Sequence, residues 1–441
     1  MSFLKFLSLI LCLCCFGMVS VQAETLEEAI IKTQRTHPSV EAAQAALDNA
    51  AQQRREERSG FFPEISVNLA FGRIFGDNST TRGLVVDRGE AYSYLGEAGI
   101  TARQMIFDGF ATGRRVDSAQ ARRLSAEQTV ADITGTLTFT TVQAYIDLLR
   151  AEKGLVMIHA QKAQAHDYHD RIEQAVNDGA SDEAELQQAK EVLLQLSGFV
   201  IEYEGQKAAA ESQYIELTGA KPDSALENPE PDLSFGFKDV EEAVAYAKVN
   251  HPSIRAAALS ARSSLFDIDV EKASLYPNVD GELSYFESDR QEAIGGEIVD
   301  ARALVRANWT FETGQGQYAR IAQRKASRQE SLSRLAEIEK QIERGVRLAY
   351  AEHDTSLRLL ENETERANLS QGLFDTYQVQ FEGALIRVIN LMQADNQYFA
   401  ARLTQTNTAH RALLAQYALL ASVGRLGASL DLDARLQAQQ P

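Results

Sequence analysis

Glu64-Ile65-Ser66-Val67-Asn68-Leu69-Ala70-Phe71 alternates polar and apolar side chains with a period of two, the signature of a strand whose two faces meet different surroundings. Asn278-Val279-Asp280-Gly281-Glu282-Leu283-Ser284-Tyr285 reads the same way, at an offset of 278 − 64 = 214. Upstream the spacing is kept. His37-Pro38-Ser39 and His251-Pro252-Ser253 stand at the same offset (251 − 37 = 214), Pro63 and Pro277 likewise, and Leu26-Glu27-Glu28-Ala29 is answered by Val240-Glu241-Glu242-Ala243. A spacing held from a helix-like opening to a strand-like ending identifies a duplicated structural unit.

Working outward, each strand is followed by another. In 92–103, Tyr92, Tyr94, Gly96, Ala98, Ile100 and Ala102 alternate with Ser93, Leu95, Glu97, Gly99, Thr101 and Arg103. In 301–311, Ala301, Ala303, Val305, Ala307, Trp309 and Phe311 oppose Arg302, Leu304, Arg306, Asn308 and Thr310. Four amphipathic strands of about ten residues have the length that crosses a bilayer when tilted. A strand half-buried in a soluble sandwich alternates too, so the aromatics carry weight. If each pair is an up-and-down hairpin, Phe61, Phe62, Phe107, Tyr276, Trp309 and Phe311 fall at one level, and Phe71, Phe75, Tyr92, Tyr94, Tyr285 and Phe286 towards the other. Two aromatic levels around an apolar band resemble the girdles of an outer-membrane barrel. Four strands cannot close around a lumen and open edges are not tolerated in lipid, so closure demands several copies of the chain.

The rest reads as helix. Prolines stand only at 38, 63, 222, 229, 231, 252, 277 and 441, leaving 64–221 and 278–440 free of them. Val142, Tyr145, Ile146 and Leu149 share one helical face, as do Ile342, Val346, Ala349, His353, Leu357 and Leu360. From Phe110 to Asp178 there is no strong breaker, enough for a helix of about 100 Å. Gly179 and Gly383 punctuate the pattern, so each half is expected to end in a long antiparallel hairpin. A strict heptad does not persist and alanine is abundant, which favours flat packing between neighbouring helices over a two-stranded zipper.

Residues 1–23 read as a secretory signal, with Lys5 at the start, an apolar run from Leu7 to Val19 and a small-residue cleavage site at Val21-Gln22-Ala23. Cys12, Cys14 and Cys15 all lie inside it, so the processed chain carries no thiol for a disulfide, zinc or nucleophilic role. Losing Lys5 takes the formal charge from −18 to −18 − 1 = −19, which argues against nucleic acid and polybasic membrane binding.

The repeated Leu-Glu-Glu-Ala…His-Pro-Ser…Pro pattern, Gln104-Met105-Ile106-Phe107-Asp108-Gly109 after the second strand, and Gly383…Val388-Ile389-Asn390-Leu391-Met392-Gln393-Ala394…Leu420-Ala421-Ser422-Val423-Gly424 resemble the TolC-type outer-membrane secretion and efflux channels. The resemblance covers essentially the whole processed chain and lies in the order of elements. It implies a mixed α and β membrane protein: a homotrimer whose twelve-stranded β-barrel, four strands per chain, sits in the outer-membrane lipid and continues as a long periplasmic α-helical barrel. The expected divisions are a signal peptide (1–23), a first repeat (24–218, β-hairpin 61–109), an equatorial connector (219–238), a second repeat (239–425, β-hairpin 275–312) and a C-terminal tail (426–441).

In that family the periplasmic tip is the gate, opened by a periplasmic adaptor (membrane fusion) protein and an inner-membrane ABC or proton-driven transporter. The resemblance places the tip around 176–190 and 379–395. Family channels commonly bond a tip carboxylate to an arginine of the second hairpin; Glu185 takes the first position and Arg387, after a one-residue insertion, the second. The paired aspartates that ring the entrance in some members fall on Asn390 and Gln393, and Asp395 stands off their direction. Polar strand positions Glu97, Arg103, Asp280, Glu282, Arg302 and Arg306 are expected to face the lumen, and the aromatics above to form the girdles.

His166 and His169, with Asp167 and Asp170, have a spacing that could hold a metal on a helix, although solvated residues on a long helix face read the same way. No phosphate loop, nucleophile elbow or His-Glu-x-x-His pair occurs, and carboxylates such as Asp182, Glu183 and Glu185 have no evident desolvated cleft to separate their pKa values, so an enzyme is not the expected reading. The expected function is a passive exit duct for type I secretion or efflux, its cargo either protein or small toxic molecules. The competing class is a soluble periplasmic coiled-coil scaffold, which requires the alternating segments to pack inside a soluble domain.

Overall fold

The computed structural model describes residues 23–76, 91–222, 225–230, 236–290 and 297–430; the segment 1–22, most of both strand-to-strand loops and the tail beyond Leu430 lie outside the described residues. In chain order the elements are α1 (Leu26–Thr36), α2 (Pro38–Ser59), β1 (Glu64–Gly76), β2 (Ala91–Phe107), α3 (Ala111–Asn177), α4 (Glu183–Thr218), α5 (Val240–Asn250), α6 (Pro252–Ala273), β3 (Asn278–Arg290), β4 (Glu297–Asn308), α7 (Gly316–Glu382), α8 (Val388–Ser422) and α9 (Leu426–Ser429). The duplication extends to the bounds of the elements: α5, α6 and β3 begin and end at a constant offset, 240 − 26 = 214, from α1, α2 and β1. From there the offset becomes 316 − 111 = 205, shared by the 67-residue helices α3 and α7 and by the starts of α4 and α8. The second repeat is therefore shorter between Arg290 and Gly316.

Local chemistry accounts for the repeated motif. The His37 and His251 rings each accept at Nδ1, 3.2 Å from the main-chain nitrogens of Ser39 and Ser253, while Pro38 and Pro252 open the helices where a missing N–H costs nothing. Thr25 and Glu28 form a reciprocal capping box at α1; at α5 Asp239 accepts from the Glu242 main-chain nitrogen at 2.8 Å, while the Glu242 carboxylate reaches one residue further back, to the main-chain nitrogen of Lys238.

The chain forms two compact units. One comprises residues 41–132 and 248–342 and holds an antiparallel sheet in the order β1-β2-β3-β4, with the helix ends that flank it. Asp108 caps α3 by accepting from the Thr112 main-chain nitrogen at 2.7 Å. Gly109 is left-handed at φ +69, and a Cβ there would lie 2.7 Å from the Ala273 carbonyl oxygen, so the turn out of β2 admits only glycine without a shift. Ser118 and Arg122 on α3 both bond Asp267 on α6.

The other unit comprises residues up to 40, 133–247 and 343–441. Its helices enclose three apolar clusters in succession. Leu26, Ile30, Val142, Tyr145, Ile146, Leu149, Tyr214, Tyr417 and Leu420 form the first, Ile158, Leu196, Tyr203, Phe399 and Leu403 the second, and Tyr168, Ile172, Leu186, Ile389, Leu391 and Met392 the third. Buried alanines lie between the large side chains, including Ala151, Ala165, Ala189, Ala401 and Ala412. Gly154 has the Tyr203 ring where a Cβ would stand, so α3 and α4 approach closely there. Leu426 and Leu430 are buried in the first cluster, so the start of the segment expected to be a tail belongs to the core.

Candidate functional site: two hairpin ends and a two-faced sheet

The ends of the long hairpins are two copies of one turn. After α3, Ala180 and Gly179 donate to the carbonyls of Ala175 and Val176, with Gly179 left-handed at φ +72. After α7, Leu385 and Ala384 donate to those of Gln380 and Phe381, with Ala384 left-handed at φ +54. The left-handed residue of the second copy is thus Ala384, at 179 + 205 = 384, one residue past the glycine that marks the break in the sequence.

Asp182 caps α4, accepting from the Glu185 main-chain nitrogen at 3.0 Å. Its counterpart at the start of α8 is Arg387, which makes no side-chain capping bond. Arg387 instead sends Nη1 to Glu185 Oε1, while Ser181 Oγ donates to Glu185 Oε2. The carboxylate is buried and the guanidinium largely exposed. Asn390 is half-buried and donates its main-chain N–H to the Arg387 carbonyl at 3.1 Å; Gln393 is exposed.

Asp395, two turns further along α8, is buried, and Gln161 Nε2 on α3 donates to its Oδ2 at 3.0 Å. The Tyr168 hydroxyl stands close enough to the same carboxylate to perturb its titration. Burial pushes the Asp395 carboxyl above its ordinary range, and burial together with the Asp395 charge pushes the Tyr168 phenol up to about 12. The sequence signal was present, because Met392, Asp395, Phe399 and Leu403 lie on one helical stripe and Asp395 fills a core place in it.

Register settles the faces of the sheet. β1 pairs with β2 so that Ile65, Val67, Leu69 and Phe71 lie opposite Ala102, Ile100, Ala98 and Gly96, and β3 and β4 continue that face with Leu283, Tyr285, Ala303 and Val305. Ile65, Val67, Leu69, Phe71, Leu283 and Val305 are all more than 60% exposed, so among the described residues nothing covers this apolar face, contrary to what a soluble scaffold requires. Glu97, Arg103, Asp280, Glu282, Arg302 and Arg306 all fall on the opposite face. There Glu282 faces Arg306 at 3.2 Å and Arg103 at 3.6 Å, and Arg302 pairs with Asp300. β1 and β4 are the two edges and pair with no other strand among the described residues.

The aromatic levels differ from expectation in part. β4 ends at Asn308, so Trp309 and Phe311 lie just past the strand, their ring centroids 4.7 Å apart with the planes tilted by 40°, and Trp309 Nε1 donates to the Leu275 carbonyl at 3.2 Å. Phe61 and Phe62 precede β1 and Phe107 ends β2, where it meets Phe110 edge-on. Towards the loops, Phe75 pairs in register with Tyr92, whose side chain lies outside the described residues, and Arg73 sits over the Tyr94 ring. Tyr285 pairs with Ile100, which faces Val67, and so stands in the middle of the apolar face. Phe286 falls on the polar face, against Gly99. Alternation reveals which face a residue takes, but its level depends on pairing.

For a metal, the geometry gathers His169, Asp170 and Glu173, with ligand atoms within 4.8 Å, and leaves out His166. His169 Nδ1 is already 3.1 Å from Asp170 Oδ1, and both acids are exposed. Among the described residues no helix is long and apolar enough to cross a membrane.

The family model described as "Outer membrane efflux protein" matches residues 30–220 and 244–425. The chain is 21% identical over 418 residues to the outer membrane efflux protein BepC of Brucella suis biovar 1 (strain 1330), covering 92% of this chain and 86% of BepC. Its fold is similar to the Campylobacter jejuni CmeC outer membrane channel, with TM-score 0.77, 12% identity and coverage of 94% and 89% of the two chains. It is likewise similar to the outer membrane protein VceC of Vibrio cholerae, with TM-score 0.72, 16% identity and coverage of 90% and 96%. Strands with one face apolar and one charged, long paired helices and a match along both repeats lead to one assignment: this chain belongs to the outer membrane efflux protein family.

Proposed function

We propose how this outer-membrane efflux channel, the exit duct of a tripartite efflux or type I secretion system, divides its work between the described parts. The apolar face of β1–β4 meets lipid, and Glu97, Arg103, Asp280, Glu282, Arg302 and Arg306 line the aqueous side. Several copies close the barrel, because each sheet has two free edges that lipid does not tolerate, and membership of the family implies that they number three. The hairpin ends, extending into the periplasm, form the entrance, and the contact of Arg387 with Glu185 is a latch that an adaptor releases. A charge-assisted contact with one exposed partner suits this role, being directional yet worth only about 1 kcal/mol in water. Transport energy comes from an inner-membrane transporter, the chain itself has no catalytic role, and neutral Asn390 and Gln393 provide no carboxylate ring for cations.

The observation that carries the reading is the uncovered apolar face backed by a charged one on the same four strands. Single-channel recording of the detergent-purified protein in a planar bilayer tests it. Stable discrete steps are expected, larger or more frequent in Arg387→Ala. Silence from both proteins, each correctly assembled, would favour a scaffold.

A further inference from the structure

We infer that Glu24 is the first residue of the processed chain, and that its amino group sits in a built socket that fastens the connector after Thr218 to the helical core. Glu24 is only 3% exposed although it precedes the first helix, whose start Thr25 already caps. Its main-chain nitrogen donates to the Ala225 carbonyl at 3.0 Å, and its carbonyl accepts from the Glu227 nitrogen at 3.1 Å. A one-residue parallel bridge thus joins Glu24 to Leu226. The Tyr145 hydroxyl lies 2.7 Å from the Glu24 carbonyl oxygen and 2.8 Å from that of Glu227, one hydrogen serving both strands of the bridge. The Glu24 side chain accepts from the Tyr214 hydroxyl at 2.7 Å and from Lys32 at 2.9 Å.

The small-residue motif Val21-Gln22-Ala23 puts the scissile bond immediately before this residue. Hydrolysis by a signal peptidase adds one water across the Ala23–Glu24 amide. Ala23 leaves with the new carboxylate, and Glu24 keeps the new ammonium. The socket is acidic: burial does most to push the Tyr145 phenol up, and the negative charges of Glu24, Glu227 and Glu27 push it further. The ammonium keeps the hydrogen bond to Ala225 and adds a positive charge among those acids. Export processing thereby leaves the new terminus inside this attachment and adds a charge to contacts that the Glu24 main chain and side chain already make.

This inference rests on the exported location and not on the gate, so its failure is separable from failure of the channel reading. Intact mass of protein from outer membranes is expected to correspond to a chain starting at Glu24; any other start overturns the inference. On the same wild-type protein, acylation of the terminal amine by an activated ester, read by peptide mass spectrometry, is expected to run about tenfold slower in the native state than in guanidinium. Equal rates overturn it. Tyr214→Phe and Tyr145→Phe should speed both acylation and tryptic cleavage after the exposed Lys238, at the far end of the connector; folded variants with wild-type rates would likewise count against it.

Discussion

Ala384 and Arg387 break local rules that Gly179 and Asp182 obey at the corresponding places in the first copy, where 384 − 179 and 387 − 182 both equal 205. An alanine at φ +54 carries the clash of its Cβ with the backbone, a cost of about 1–2 kcal/mol that glycine escapes at the expense of a freer unfolded chain. Ala384→Gly should therefore stabilise the folded chain by about 0.5–1 kcal/mol in denaturant unfolding; a loss of stability would mean the turn is not left-handed in solution. Arg387 is a poor N-cap, and a cation at a helix start also opposes the helix dipole. Such a choice is intelligible if the side chain serves Glu185 instead. Arg387→Ser regains a cap worth about 1 kcal/mol while losing the ion pair, so stability should change little as single-channel conductance or antibiotic entry rises. If conductance and antibiotic entry stay at wild-type values in the folded variant, the latch has no gating role. The positions of Glu185 and Arg387 came from the family resemblance, but the left-handed Ala384 was not readable, because the sequence marks only a break at Gly383 and backbone angles alone show which residue turns.

At the scale of elements, α8 is tied to α3 through Asp395 as well as to α4 through Arg387. Burial raises the folded-state pKa of Asp395 above its unfolded value near 3.9. The folded chain then holds the proton more tightly, so the site's contribution is fully present below the unfolded pKa and is lost as pH rises through the folded one. Asp395→Asn keeps an acceptor for Gln161 and carries no charge; it should raise the melting temperature by a few degrees at pH 7, a gain that fades towards pH 4. A melting temperature lower than wild type at pH 7 would show that the charge itself holds the tie. The strands allow a face-by-face test. Leu69→Arg puts a charge on the uncovered apolar face and should cost about 2–4 kcal/mol or prevent barrel assembly, whereas Asn68→Arg on the other face should assemble. Equal tolerance at both positions, read by heat-modifiable gel mobility, would remove the lipid assignment. Faces were legible in the sequence because a period of two needs no partner. Strand ends and levels were not: β4 stops where Trp309 turns to bond Leu275, and Tyr285 is placed by its pairing with Ile100.

At the scale of the whole molecule, the number of copies follows from no residue of one chain, because closure is a property of several. It can still be bounded. An antiparallel sheet of four strands exposes a row of unpaired N–H and C=O groups along β1 and another along β4, each costing several kcal/mol in hydrocarbon. One copy is therefore excluded as a membrane-spanning form. Two copies give eight strands, a barrel whose interior is only wide enough for its own side chains. With the charged face turned inward, as proposed above, Glu97, Arg103, Asp280, Glu282, Arg302 and Arg306 would line the interior, and eight strands would press two sets of these charges into a space without water. Three copies and twelve strands are the smallest closed arrangement that leaves the charges solvated around a duct. Native mass spectrometry of the detergent-extracted protein should thus give three times the mass of the processed chain, with no stable two-chain species on dilution. A two-chain assembly that conducts would overturn both the subunit number and the placing of the charged face on the inside.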